Sequence, residues 1–207
     1  MKISIISLFI LMILFPRLLF SQWDVNSVHE KLKSKYGNIN TMITNFLLRG
    51  NNKLNGTLTA KAGNKFKIQI YDRQIISNGA TIWVYSEKEN RVVISNFDES
   101  ASSNSLERIF YKFIEFYKVS KISKEQKSNR KTLIVAELEP IDRNKIIAST
   151  NKLTLWLDPN DFTIETFKIQ GDETEIWDLD NLILNKKIPD KLFEFKLPKD
   201  CEVVDIR

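Results

Sequence analysis

The spacing of hydrophobic residues along this chain changes period more than once. Between Asp24 and Tyr36 the residues Val25, Val28, Leu32 and Tyr36 fall at helical spacing, and Gly37 follows as a stop signal, which predicts a short amphipathic helix. From Met42 the period drops to two. Met42–Arg49, Leu54–Lys61 and Lys65–Tyr71 read as strands, and in the third Phe66, Ile68 and Ile70 alternate with Lys65, Lys67 and Gln69. Asn51-Asn52 and Gly63-Asn64 supply the turns between them. Arg91–Asn96, Lys131–Glu137, Lys145–Leu157, Phe162–Gln170 and Thr174–Leu184 continue the strand pattern, and Asp158-Pro159-Asn160-Asp161 is a turn. Lys121–Arg130 is charged, lacks apolar anchors and reads as an exposed turn or loop. The tail gives two short extended pieces, Leu192–Leu197 and Glu202–Ile206, around Pro198. The sum is a meander of antiparallel strands broken by helix.

Two stretches organise this pattern. In QIISNGATIWVY, Gln74 to Tyr85, the strand residues Ile75 and Ile76 lead into Ser77-Asn78-Gly79, where Asn and Gly tolerate positive φ, and Thr81–Tyr85 leaves as a β-branched and aromatic strand. Ile82 and Val84 point to one face of that strand, Trp83 and Tyr85 to the other. Both faces are apolar, so both need cover or a ligand. The second stretch, Leu106–Tyr117, carries Leu106, Ile109, Phe110, Phe113, Ile114 and Tyr117 in one helical stripe, with Ser103 or Ser105 available as N-cap. Such a helix serves either as ordinary packing on a sheet or as a lid over an apolar concavity.

The ends and the composition narrow the class. Met1-Lys2 followed by the uncharged, largely apolar run Ile3–Phe15, about 13 residues, is shorter than the roughly 20 needed to span a bilayer and predicts a secretory signal, residues 1–22, cleaved near Ser21 or Gln22. No cysteine stands near that exit, so a lipid attachment point is missing there. Residues 23–207 then form a single domain, since neither a repeat nor a low-complexity linker divides them. Loss of Lys2 and Arg17 lowers the net charge from +5 to about +3. That charge is spread among acids, which argues against nucleic acid.

Candidate chemistry is sparse. One His, at position 29, and one Cys, at position 201, exclude an intramolecular disulfide and are too few for a metal cluster of the usual N/S type. His29 falls between the apolar positions of its helix. Neither a nucleophile elbow nor a phosphate-cradling glycine loop occurs. Glu173 and Glu175 share a strand face and are a pair of acids with suitable spacing, but alternating acids beside a turn more often form a solvated face. The residues therefore predict a non-enzymatic protein with no catalytic residue, metal or cofactor.

The order of elements carries a likeness. A leader, a first helix, strands bearing Gly56-Thr57-Leu58 and Asn64-Lys65-Phe66, the hairpin ISNGATIWVYS, an interrupting helix and a closing LFEFKLPKDCEVVD together resemble the LolA-type outer-membrane lipoprotein carriers over the whole of residues 23–207. The resemblance implies a mainly β fold with a few helices, an incomplete antiparallel β-barrel (half-barrel) whose concave face the helices cover. It further implies a monomeric periplasmic chaperone. Such a protein takes lipoprotein acyl chains from an inner-membrane lipoprotein-releasing transporter and hands them to an outer-membrane acceptor. A 16-carbon chain exposed to water costs on the order of 12 kcal/mol at about 0.8 kcal/mol per CH₂, so it travels only inside an apolar hollow. Alternation and position nominate Leu58, Phe66, Ile68, Trp83, Tyr85, Phe110, Phe113 and Phe167 as lining residues, each of which would also serve as plain core. Two departures stand out. Where the carriers often have an arginine before a proline that tethers the lid, this chain has Ala62-Gly63, with Lys61 aimed at the opposite strand face. Where they often have Phe-x-Gln, it has Phe46-Leu47-Leu48.

Overall fold

The computed structural model describes residues 23–50, 53–98, 106–144, 146 and 150–207; within helix residues 106–110 only the backbone is described. The expected leader and the two candidate N-cap serines lie outside these residues. Helix α1 is Val25–Tyr36, and Asp24 opens it with a capping box: its carboxylate accepts the Ser27 amide while the Ser27 hydroxyl accepts the Asp24 amide. Val28, Leu32 and Tyr36 are buried, as their spacing requires, and Gly37 caps the helix in right-handed conformation with its amide on the Lys33 carbonyl.

Six strands follow: β1 (Thr41–Arg49), β2 (Leu54–Lys61), β3 (Lys65–Ile70), β4 (Arg73–Asn78), β5 (Thr81–Ser86) and β6 (Arg91–Asn96). The β4–β5 turn forms where Asn78 and Gly79 predict it. Gly79 adopts φ +95°, and the Asn78 side chain accepts the amides of Ala80 and Thr81. Helix α2 (Leu106–Phe116) comes next, then β7 (Tyr117–Gln126), β8 (Thr132–Pro140), β9 (Lys152–Leu157), β10 (Ile164–Gln170), β11 (Thr174–Leu184), a 3-10 turn (Asp190–Phe193) and β12 (Glu202–Asp205).

All twelve strands join one open sheet in the order β12-β6-β5-β4-β3-β2-β1-β11-β10-β9-β8-β7. Every pairing is antiparallel except β12 on β6. Side chains of one parity, among them Met42, Phe46, Leu58, Ala60, Phe66, Leu155, Phe167 and Leu179, build the core together with Val28, Leu32, Tyr36, Phe113, Ile114 and Tyr117 from the helices and their ends. The result is a mainly β half-barrel with its helices on the concave face, the architecture the resemblance implies.

Several boundaries differ from expectation, and β8 runs on to Pro140 where the pattern ends it at Glu137; four other differences have a local reason. Lys121–Arg130 is mostly strand rather than loop: a bulge between Val119 and Lys121 breaks the period of two, so that Val119 and Ile122 both reach the core while the lysines decorate an edge. Tyr117 leaves the helix and begins β7, where its hydroxyl donates to the Thr150 carbonyl. Phe162 sits at φ +61° in the turn, so β10 starts at Ile164. Leu192–Leu197 forms no strand, since the 3-10 turn takes its start. Of the expected strand Lys145–Leu157, residues 145 and 147–149 lie outside the described residues, and β9 begins at Lys152.

Candidate functional site

The concave face is built from cross-strand rows, because paired residues in a sheet share a face. One row runs Thr44, Leu58, Ile68, Ile75, Val84, Val93, and the next runs Met42, Ala60, Phe66, Ser77, Ile82, Ser95. On the other side of β1 the rows continue with Leu48, Trp177, Phe167, Leu155 and Ala136. The two halves are covered unequally. Leu153, Leu155, Leu157, Ile164 and Phe167 are wholly buried, whereas Ile68, Ile70, Ile75, Ile82, Val84 and Val93 are only half-buried. The β3–β6 half is thus an apolar floor incompletely shielded from solvent.

The helices are held over the well-covered half by specific contacts. The Tyr36 hydroxyl donates to the Phe162 carbonyl at 2.9 Å and accepts the Ile164 amide at 3.0 Å; burial pushes its pKa well above the ordinary tyrosine value. Trp23 meets Phe162 edge to face at 5.0 Å, with the Lys31 ammonium 5.1 Å from both ring centroids. Phe113 of α2 touches Tyr36 at 5.8 Å and Phe167 at 6.1 Å between ring centroids. The Tyr111 hydroxyl reaches the Asn40 carbonyl at 3.3 Å, and that same carbonyl accepts the Ala62 amide at 2.8 Å.

Of the eight nominated lining residues, the sheet brings together Leu58, Phe66, Ile68, Phe113 and Phe167 on the concave side. The Phe110 side chain lies outside the described residues. Trp83 and Tyr85 stand apart. By register they share the convex face with Lys67, Ile76, Gln69 and Val92, and there Phe195 stacks on Trp83 at 6.5 Å and leans on Tyr85 at 5.5 Å. Their neighbours Ile82 and Val84 face the concavity instead, and sequence reasoning, which saw both faces of β5 as apolar, chose the other pair. Phe46, Ile70, Ile75 and Trp177 also line the concave face and went unnamed. Their even spacing with Leu58, Phe66 and Phe167 across paired strands was the available signal.

The convex side has a separate occupant. The segment after β11 crosses β3–β6 as a strap: Ile188 and Phe193 are buried, and Asp190 binds Lys61 at 2.7 Å and Lys65 at 3.1 Å, which hold its carboxyl below the ordinary carboxylate value. Lys61 therefore points to the convex side, away from α1 and α2, as its parity requires. Ala62 is an exposed turn residue.

Two acids of β11 are matched. Burial works to raise the Asp178 pKa, but Arg49, in a two-pronged pair with both contacts at 2.6 Å, and the Thr166 hydroxyl overcome it and hold it low. Glu175 accepts the Trp177 indole. A cleft of about 600 Å³ beside Lys131, Asp158 and Glu165 is lined mainly by such polar groups, whereas one of about 510 Å³ between β1, β2 and β11 is lined mainly by apolar surface, Phe46, Leu47 and Leu179 among it. The Nδ1 of His29, half-buried on α1, makes no hydrogen bond among the described residues. Among those residues no cluster of His, Cys, Asp and Glu has metal-binding geometry, and no helix is long and apolar enough to cross a membrane.

An open sheet, antiparallel but for β12, curled around an apolar concavity, with two helices packed on its concave face, defines a protein of the half-barrel class. Residues 39–196 match the family described as outer membrane lipoprotein carrier protein LolA, and the chain belongs to that family. It is 26% identical over 215 residues to proteins named outer-membrane lipoprotein carrier protein from Legionella pneumophila strains Corby and Paris, covering 94% of this chain and 96% of each relative. In three dimensions it is similar to an uncharacterized conserved protein from Thermus thermophilus, with a TM-score of 0.52 at 10% identity, covering 87% of this chain and 98% of that one. That likeness speaks to the fold alone.

Proposed function

We propose that this protein is a periplasmic carrier that encloses the acyl chains of lipoproteins on its concave face and ferries them from the inner to the outer membrane. The observation that carries the reading is the half-shielded apolar floor of Ile68, Ile70, Ile75, Ile82 and Val84, next to a lid seated by Phe113. Family membership and the names of the Legionella relatives support the same cargo. In this reading Leu58, Phe66, Ile68 and Phe167 contact acyl chain, Phe110 and Phe113 close over it, and Trp83 and Tyr85 support the floor from behind. The chain is exported through a signal at residues 1–22, works as a monomer and without catalysis, and meets a releasing transporter at one membrane and an acceptor at the other.

A second reading, a shuttle or sensor for another lipid on the same fold, is favoured by one feature: Ala62 stands where the carriers often place the lid-tethering arginine. Native mass spectrometry with lipid extraction, on protein recovered from the periplasm of cells expressing the full chain, separates the two. Co-purifying lipoprotein or acylated peptide supports the carrier; phospholipid or another lipid alone supports the second reading; a reproducibly empty protein overturns both.

A further inference from the structure

Seven large hydrophobic side chains are exposed among the described residues, and four of them, Leu192, Leu197, Val203 and Ile206, fall in the C-terminal strap. Their exposure is built in. Phe193 turns inward and is fully buried, and Phe195 stacks on Trp83 and Tyr85, so the sheet holds the strap by these aromatics and leaves Leu192 and Leu197 facing out, the latter 58% exposed. The chain beyond is fixed as well. Asn90 donates to the carbonyls of Lys199 and Asp200, and β12 pairs with β6.

Cations surround these apolar points. Lys191 precedes Leu192, Lys196 precedes Leu197, Lys199 follows two residues later, and Lys186 and Lys187 lead into the strap. All five are exposed, and none has an ion-pair partner among the described residues. The one acid of the 3-10 turn, Asp190, is already neutralised by Lys61 and Lys65, which leaves Glu194, Asp200 and Glu202 as the other acids of the segment up to Val203, against five lysines. Exposed leucines set among unpaired lysines on a pinned backbone match the chemistry of a bilayer interface: the apolar groups enter the acyl boundary and the ammonium groups meet lipid phosphates.

We propose that the strap face, Lys186 to Lys199 with Val203, is a docking surface for a membrane rich in anionic lipid. The surface lies on the convex side, away from the acyl-chain floor, and the inference does not depend on the cargo.

The test is vesicle flotation of the protein recovered from the periplasm, with vesicles of phosphatidylcholine alone and with about 30% phosphatidylglycerol. Binding is expected only to the anionic vesicles and is expected to vanish in about 0.5 M salt, where charges are screened within a few ångströms. Each lysine near an anionic surface contributes about fivefold, so the triple substitution Lys191→Gln, Lys196→Gln, Lys199→Gln lowers partitioning on the order of a hundredfold. Leu192→Ser with Leu197→Ser also weakens it. These side chains are exposed and unpaired, so thermal melts stay unchanged, and a fluorescent fatty-acid probe binds as before, which keeps this test separate from the carrier reading. Equal partitioning to neutral and anionic vesicles, or full binding by the triple variant, overturns the proposal. So does the absence of vesicle binding with capture of an acidic protein instead.

Discussion

Phe113 of α2 meets Phe167 of β10 edge to face, with ring centroids 6.1 Å apart and planes at 82°, and both rings are fully buried. This contact seats α2 on the sheet, so its loss is felt in stability and, in the proposed carrier, in closure of the helix over the ligand. Phe113→Ala is expected to destabilise the fold by about 3–5 kcal/mol, the usual cost of emptying a buried phenylalanine site. It should also speed release of a bound acyl probe. Phe113→Leu keeps most of the volume and should recover most of both quantities, as read by denaturant titration and stopped-flow displacement.

Tyr111 supplies a polar tether in a chain that has no arginine at position 62. Its hydroxyl bonds the Asn40 carbonyl, the same group that holds the Ala62 amide. Tyr111→Phe removes one partly exposed hydrogen bond, worth about 1 kcal/mol. Acyl-probe release should quicken about fivefold while the melting temperature moves little. Ala62→Arg is expected to slow release; unchanged rates would show that the side chain does not reach the lid.

Gly56 pairs across the ladder with Phe46, whose ring leaves no room for a side chain. A Cβ at Gly56 would stand 2.8 Å from the Phe46 Cζ and 2.3 Å from the Gln69 carbonyl oxygen. Gly56→Ala should therefore cost about 1–3 kcal/mol or more by overpacking, measured by urea unfolding. Gly50→Ala, where a Cβ meets nothing within 4 Å, should stay within about 0.5 kcal/mol of the parent.

The two faces of β5 should separate in function. Phe195→Ala strips the cover from Trp83 and Tyr85, and faster amide exchange is expected across residues 190–205 with acyl-probe affinity unchanged. Val84→Asp places a charge on the concave floor and should weaken probe binding strongly while leaving exchange of the strap intact. Affinity loss in the Phe195 variant equal to that in the Val84 variant would mean that the ligand sits on the convex side.

Asp190 links the strap to pH. Hydrogen bonds from Lys61 and then Lys65 depress its pKa below the ordinary 3.8, so the folded state holds its proton less tightly than the unfolded one. The stability it contributes is complete above that ordinary value and is lost as pH falls through the lower, folded value. Asp190→Asn should thus loosen the strap at pH 7, as read by amide exchange, and the difference from the parent should disappear in acid well below 3.8.

Much of the fold was legible because it is written in local period. Leu54–Lys61 alternates cleanly, Arg91–Asn96 and Thr174–Leu184 are rich in β-branched and other apolar residues, and the three emerge as β2, β6 and β11 with those bounds. Residues 117–126 were not legible, because a bulge and an edge position let seven polar residues join a strand that only Tyr117, Val119 and Ile122 anchor. Of the site, Leu58, Phe66 and Ile68 could be read from one strand pair facing a common side.

The sequence by itself determined that residues 23–207 make a strand meander with amphipathic helices, and that β5 is apolar on both faces. Which face looks into the cavity was decided only by tertiary structure. Ile82, Trp83, Val84 and Tyr85 are all hydrophobic enough to be inside, so composition cannot rank them. The choice falls to partners far along the chain: the strap that brings Phe195 onto Trp83 and Tyr85, and the register through β4 and β3 that aligns Val84 with Ile75, Ile68 and Leu58. A strand's alternation fixes which residues go together; only what packs against each side fixes where they go.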